Sequence, residues 1–254
     1  MSLLVLDGIV KRFGGLIAVG NVSFTVPDNS IVGLIGPNGA GKTTVFNCIT
    51  GNYRPDEGSI SFAGQPITGN APHQIVEKGI ARTFQTIRLF GEMTVLENVL
   101  AGRHCRLESG VFSSLFRTKR QRAEERMAIE SAMQDLAFVG LDADYNNLAH
   151  NLSYGKQRLL EIARALATKP RLLILDEPAG GMNDQETAEL TELVRALCQQ
   201  GISILLIEHD MNLVMQVCHS LVVLEYGMMI AKGSPEEIKK NKQVIEAYLG
   251  ADDD

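Results

Sequence analysis

Residues Gly36-Pro37-Asn38-Gly39-Ala40-Gly41-Lys42-Thr43-Thr44 combine glycines, a lysine and two hydroxyls directly after the apolar run Ile31-Val32-Gly33-Leu34-Ile35. Glycine reaches backbone conformations that a side chain forbids, so amide N–H groups of such a loop can converge on phosphate oxygens. Lys42 adds a full positive charge where the β and γ phosphates of a nucleotide would lie, and Thr43 offers a hydroxyl to magnesium. A helix beginning near Gly41 would aim the positive end of its dipole at the same anion. Strand, loop and helix in this order imply a nucleoside triphosphate, although kinases, GTPases, helicases and transport motors all use such a loop.

A second apolar run ends in acids, Leu172-Leu173-Ile174-Leu175-Asp176-Glu177-Pro178. Beside a phosphate loop, Asp176 suits a magnesium ion or its waters, and Glu177 can orient or deprotonate an attacking water. The plainer alternative is two acids opening a loop. Upstream, Ser153 and Gly155 precede the helical run 158–168. They make either a second anion-binding helix end, which one nucleotide would not need, or an ordinary cap.

The elements that must position these groups can be read from periodicity. Short apolar runs at 3–6, 22–26, 31–35, 60–62, 172–175, 204–207 and 221–224 read as strands, the central ones apolar throughout, as in a parallel sheet covered on both faces. Helical spacing covers 42–50, closed by Gly51, and 186–200, closed by Gly201. Ser234-Pro235-Glu236-Glu237 is a capped helix start, which predicts a surface helix over 238–249. Residues from about 93 to 151 are rich in Leu, Ala, Glu and Arg without a convincing strand and read as a helical subdomain inserted in an α/β core. Its basic cluster Arg117, Lys119, Arg120 and Arg122 is interleaved with Glu124 and Glu125, which favours a solvated face over a partner or lipid contact.

A chain of 254 residues can bury a large core. Its net charge of -6 argues against a nucleic-acid partner. No stretch is long and apolar enough to span a bilayer, and the start lacks the pattern of a secretory signal. The expectation is a cytoplasmic chain that reaches a membrane only through partners. Cys48, Cys105, Cys198 and Cys218 are scattered and read as reduced thiols. Asp252, Asp253 and Asp254 read as a solvated tail.

Taken in order, these motifs resemble the ATP-binding cassette family across essentially the whole chain. Residues 36–44 are similar to Walker A, Gln85 in Arg82-Thr83-Phe84-Gln85 to the Q-loop, 152–157 to the signature, 172–177 to Walker B, and Glu208-His209-Asp210 to the switch histidine. The resemblance implies a P-loop NTPase fold with a mainly parallel sheet, an antiparallel β subdomain and a helical subdomain. The expected parts of one ATP-binding domain over 1–254 are an α/β core at 1–91 and 155–254 and a helical part at 92–154. It also implies roles: Phe13 against adenine, 36–44 around the phosphates, Thr43, Gln85 and Asp176 toward Mg2+, Glu177 on the water, and His209 at the γ phosphate. Ser153 and Gly155 would then meet the ATP held by a partner cassette. His73, His104, His150 and His219 have no such setting and read as structural.

Tyr154, Lys156 and Asn183 depart from the family's usual glycine, glutamine and aspartate, so contacts across that pairing should differ in detail. Segments such as Arg12-Phe13-Gly14-Gly15-Leu16, Arg88-Leu89-Phe90 and Glu92-Met93-Thr94-Val95 resemble the ATP-binding subunits of branched-chain amino-acid importers. That resemblance implies a second cassette as heterodimer partner, with a homodimer as alternative, two transmembrane permeases, a periplasmic binding protein reached indirectly, and a place on the inner face of the inner membrane. Urea import and lipopolysaccharide export are the runners-up, and a soluble non-transport ATPase comes after them. Ile87, Leu89, Phe90 and Met93 would line a pocket for a membrane-protein helix, or else belong to the core.

Overall fold

A computed structural model describes residues 2–103 and 119–249. His104, Cys105, Arg117, the side chains of Lys119, Arg120 and Arg122, and the acidic end lie outside the description. The strands are β1 (Ser2–Phe13), β2 (Leu16–Pro27), β3 (Ile31–Ile35), β4 (Glu57–Phe62), β5 (Gln65–Pro66), β6 (Ile80–Arg82), β7 (Leu172–Asp176), β8 (Ser203–Ile207), β9 (Ser220–Glu225) and β10 (Met228–Gly233). The helices are α1 (Lys42–Ile49), α2 (Pro72–Glu77), α3 (Val95–Arg103), α4 (Lys119–Phe138), α5 (Tyr154–Leu166), α6 (Asp184–Gln199), α7 (Met211–Val217), α8 (Pro235–Lys239) and α9 (Lys242–Leu249).

Two sheets organise the chain. The larger runs β10-β9-β3-β8-β7-β6 and is parallel except for β10, while β2-β1-β4-β5 form an antiparallel sheet. Successive side chains of a strand point to opposite faces, so each central strand feeds two cores. Ile31, Ile35, Leu173, Leu175, Ile204 and Leu206 pack with the helices on one side, and Val32, Leu34, Leu172, Ile174, Leu205 and Ile207 pack with α1 and the antiparallel sheet on the other. That double burial is why these strands carry no polar alternation. α3 and α4 pack on α5, and among the described residues from 93 to 151 the only β pairing is an isolated Thr94–Leu148 bridge.

The expected surface helix over 238–249 is broken. α8 ends at Lys239 with Lys240 as its cap, and the Asn241 side chain accepts from the Gln243 N–H at 2.9 Å, starting α9 afresh. α6 begins before the expected 186 because Asn183 and Glu186 exchange side-chain and backbone bonds at 3.0 Å, a capping box. Cys48, Cys198 and Cys218 are free thiols, and burial pushes Cys48 up to about 11 and Cys218 up to about 12. Among the described residues no helix is long and apolar enough to cross a membrane.

Candidate nucleotide site

β3 leads into the phosphate loop and α1 leads out of it. Gly36 has a φ of 148°, and a Cβ there would lie 2.1 Å from the Leu224 carbonyl oxygen; at Gly41, with φ 98°, it would lie 2.5 Å from that of Ala18. The loop is therefore seated on β9 and β2 by backbone that only glycine leaves room for. The turn after β9 joins the same seat, with Gly227 donating to the Ala40 carbonyl at 3.1 Å and Gly20 donating to that of Gly227 at 2.8 Å. Lys42 is 7% exposed, and its Nζ donates to the carbonyls of Gly36 at 2.6 Å and Pro37 at 2.9 Å. Burial lowers its pKa, while the charges of Glu177 and Asp176 pull it back up.

Phe13 closes β1 with Tyr53 edge-on at 5.2 Å between centroids. Phe13, residues 38–44, Gln85, Glu177 and His209 line one cleft of about 520 Å³, together with Leu16, Ile17, Ala18, Tyr226 and Gly227. Gly36, Pro37 and Asp176 do not line it; Gly36 and Asp176 are buried. Glu177 stands at a φ of 49°. Its carboxylate accepts from the Gln85 Nε2 at 2.8 Å and meets the His209 Nε2 at 2.9 Å. Residues drawn from three separate stretches of sequence thus converge on a single acid.

Several supporting residues escaped the sequence reading. Buried Glu208 accepts from the backbone N–H groups of Ala179 at 2.8 Å and His209 at 2.8 Å, and so ties the loop after β7 to the loop after β8. Arg158 and Glu161 on α5 grip the chain around Gln85: Arg158 donates to the carbonyls of Phe84 and Gln85, and Glu161 accepts from the Phe84 N–H at 3.3 Å. Burial raises the Glu161 carboxyl against the pull of Arg158. Burial pushes the Tyr248 hydroxyl on α9 up, against a smaller opposing pull from the Gly36 backbone. Arg82 forms an ion pair with Asp176 at 2.7 Å. Only adjacency to Gln85 and His209 could have flagged any of these, because their partners come from distant segments.

Ser153 and Gly155 lie elsewhere, at the start of α5, and do not line the cleft. Ser153 is exposed and caps the helix by accepting from the Lys156 N–H at 3.4 Å. Gly155 is pressed against α6, where a Cβ would meet the Glu186 Oε1 at 2.4 Å. Of the departures from the family pattern, Tyr154 lies over Gly181, Lys156 pairs with Asp144 at 2.7 Å, and Asn183 caps α6.

A phosphate loop after β3, acids ending β7, a histidine after β8 and a separate exposed helix end define a P-loop nucleotide hydrolase of the cassette type. The chain belongs to the ABC transporter family: a family model described as ABC transporter matches residues 19–180, and one described as branched-chain amino acid ATP-binding cassette transporter matches 228–254. It is similar to the high-affinity branched-chain amino acid transport ATP-binding proteins LivG of Salmonella typhimurium, 49% identical with 98% of each chain covered, and BraF of Pseudomonas aeruginosa, 48% identical with the same coverage. Among solved structures it resembles a nucleotide-free ATP-binding cassette from an ABC transporter, with TM-score 0.85, 37% identity and coverage of 98% and 99%. The ADP conformation of an ATP-binding cassette of an ABC transporter gives TM-score 0.86 and 35% identity with the same coverage. As a member of this family the chain is an ATP-binding, ATP-hydrolysing subunit of a transporter.

Proposed function

We propose that the chain powers import of leucine, isoleucine and valine by hydrolysing ATP between two cassettes at the inner face of the inner membrane. The observation that carries the mechanism is the placement of Glu177 between Gln85 and His209 in the Lys42 cleft, while Ser153 and Gly155 stand outside it. The printed names of the relatives support the cargo.

In this reading Phe13 packs on adenine, and the amides of 36–44 with Lys42 hold the phosphates. Glu177 takes the proton of a water as its oxygen bonds to the γ phosphorus and the bond to the departing ADP oxygen breaks. Gln85 orients Glu177 and the water, and His209 holds the same carboxylate from the other side. The donor set suits magnesium: the Thr43 hydroxyl, the Gln85 amide oxygen and an Asp176 carboxylate oxygen are hard oxygen donors and would hold it. The ion would offset phosphate charge. A partner cassette supplies its own equivalents of Ser153 and Gly155 to this ATP, a second cassette in a heterodimer by preference, or another copy. Two permeases complete the membrane assembly, and a periplasmic binding protein delivers cargo.

Residues 92–154 form the helical part that faces the permeases. Leu89 packs into the core, whereas Phe90 is 53% exposed beneath Arg164, so Phe90 is the better candidate for a membrane-protein contact. Deleting the gene and measuring uptake of labelled leucine and labelled urea tests the cargo. Leucine uptake should fall and return with the parental gene but not with Lys42→Ala. Loss of urea uptake alone would overturn the assignment.

A further inference from the structure

β6 and β7 are parallel neighbours, with Arg82 opposite Ile174, and this register sets the Arg82 guanidinium beside Asp176. Its Nη2 donates to Asp176 Oδ2 at 2.7 Å, and its Nη1 donates to Asn47 Oδ1 at 2.7 Å. The guanidinium carbon lies 5.8 Å from the Phe46 ring and 5.5 Å from the Phe84 ring. Asp176 itself is 3% exposed, and its N–H donates to the Thr83 hydroxyl at 3.3 Å. One side chain thus joins the helix of the phosphate loop, the Gln85 segment and the acid-bearing strand.

A buried acid needs a counter-charge, and a mobile ammonium would provide one. The fork does more. A planar guanidinium held beside two rings, with Nη1 aimed by Asn47, presents Nη2 to one carboxylate oxygen in one direction. We propose that Arg82 is a positioning residue for the magnesium-binding carboxylate, holding Asp176 by Oδ2 so that Oδ1 serves the metal that accompanies ATP. The inference rests on the reading of Asp176 as a metal ligand. Groups behind a ligand commonly set its metal affinity, and removing one costs about 10- to 100-fold in affinity or activity.

The test compares the affinity of the purified chain for a non-hydrolysable ATP analogue with Mg2+ and with EDTA, by calorimetry, alongside ATPase rates and melting temperature. Arg82→Lys keeps the charge and loses the fork. It should cut the ratio of the two affinities about tenfold and kcat by a similar factor, with the EDTA affinity within about threefold of the parent and the KM for ATP in Mg2+ raised in step with the weaker magnesium-dependent binding. Asn47→Ala leaves Arg82 in place without its aiming partner and should move the ratio the same way by about threefold, which keeps the inference open to refutation if the lysine variant does not fold. A parental ratio in a folded Arg82→Lys variant, or a variant that only melts earlier, would overturn it. Asp176→Asn separates the premises: if that change also leaves the ratio intact, the metal reading of Asp176 fails, whereas a collapsed ratio beside an intact one in Arg82→Lys sinks the positioning role alone.

Discussion

Glu177 carries its side chain on left-handed backbone at φ 49°, which costs a non-glycine residue on the order of 1–3 kcal/mol. The conformation is imposed by its neighbours, since its N–H donates to the Ile207 carbonyl at 2.9 Å and its own carbonyl accepts from Gly180 at 3.2 Å. Strain held this way aims the carboxylate at Gln85 and His209. Glu177→Gln should therefore bind ATP as the parent does and lose turnover by about 100-fold or more, read by phosphate release; a parental rate would remove Glu177 as the base. Asp56 yields a stability prediction. It accepts from the Arg12 N–H at 2.6 Å and the Lys11 ammonium at 3.1 Å, and these bonds, the Arg12 one foremost, hold its carboxyl below the usual carboxylate range. The unfolded chain then binds the proton more readily, so the contribution is present above the ordinary carboxylate pKa and fades as pH falls through the lowered folded value. Asp56→Asn should be less stable than the parent in urea at pH 7, with the gap narrowing as the pH is taken below the ordinary carboxylate range. Lys42, Glu177, Gln85 and His209 line one cleft; residue type and local order pointed to Lys42 and Glu177, whereas Gln85 and His209 were picked out only by the resemblance to the cassette family. Arg82, Glu208 and Tyr248 were not legible, because each acts through a partner far away in sequence.

Among the elements, the central strands were legible from apolar runs alone, since both faces of each are buried and every residue repeats the signal. β6, three residues long, and the edge strand β10 carry too little pattern to be seen. The break at Asn241 was hidden by the helical composition on either side of it. The junction of α5 and α6 shows how one glycine couples two elements. A methyl group at Gly155 would press on the Glu186 carboxylate, and that carboxylate accepts from the Asn183 N–H to close the cap of α6. Gly155→Ala should therefore cost about 1 kcal/mol, the value of a helix cap, in chemical denaturation. Made in a Glu186→Ala background, the same change should cost much less, because the clash and the cap are already gone. Equal costs in both backgrounds would assign the glycine to some other purpose.

At the scale of the molecule, the exposed end of α5 lies outside the cleft, and in the proposed mechanism it serves ATP held by a partner cassette. The cleft holds Lys42, Glu177 and His209, yet Ser153 does not line it, so nucleotide binding to the isolated chain should be indifferent to Ser153. Ser153→Arg sets a bulky cation at an exposed cap where the chain's own fold has room for it. ATP binds the folded chain alone, and at about 100 times its dissociation constant should stabilise parent and variant equally, by about 2.7 kcal/mol. The assembled transporter should behave differently, because there the arginine would intrude on ATP held by the partner cassette. ATPase activity of the complex should fall about 100-fold, on the scale of removing a key phosphate contact. Reduced ATP affinity in the isolated variant would place Ser153 in its own cleft, and full activity in the complex would leave the second helix end as a cap and nothing more.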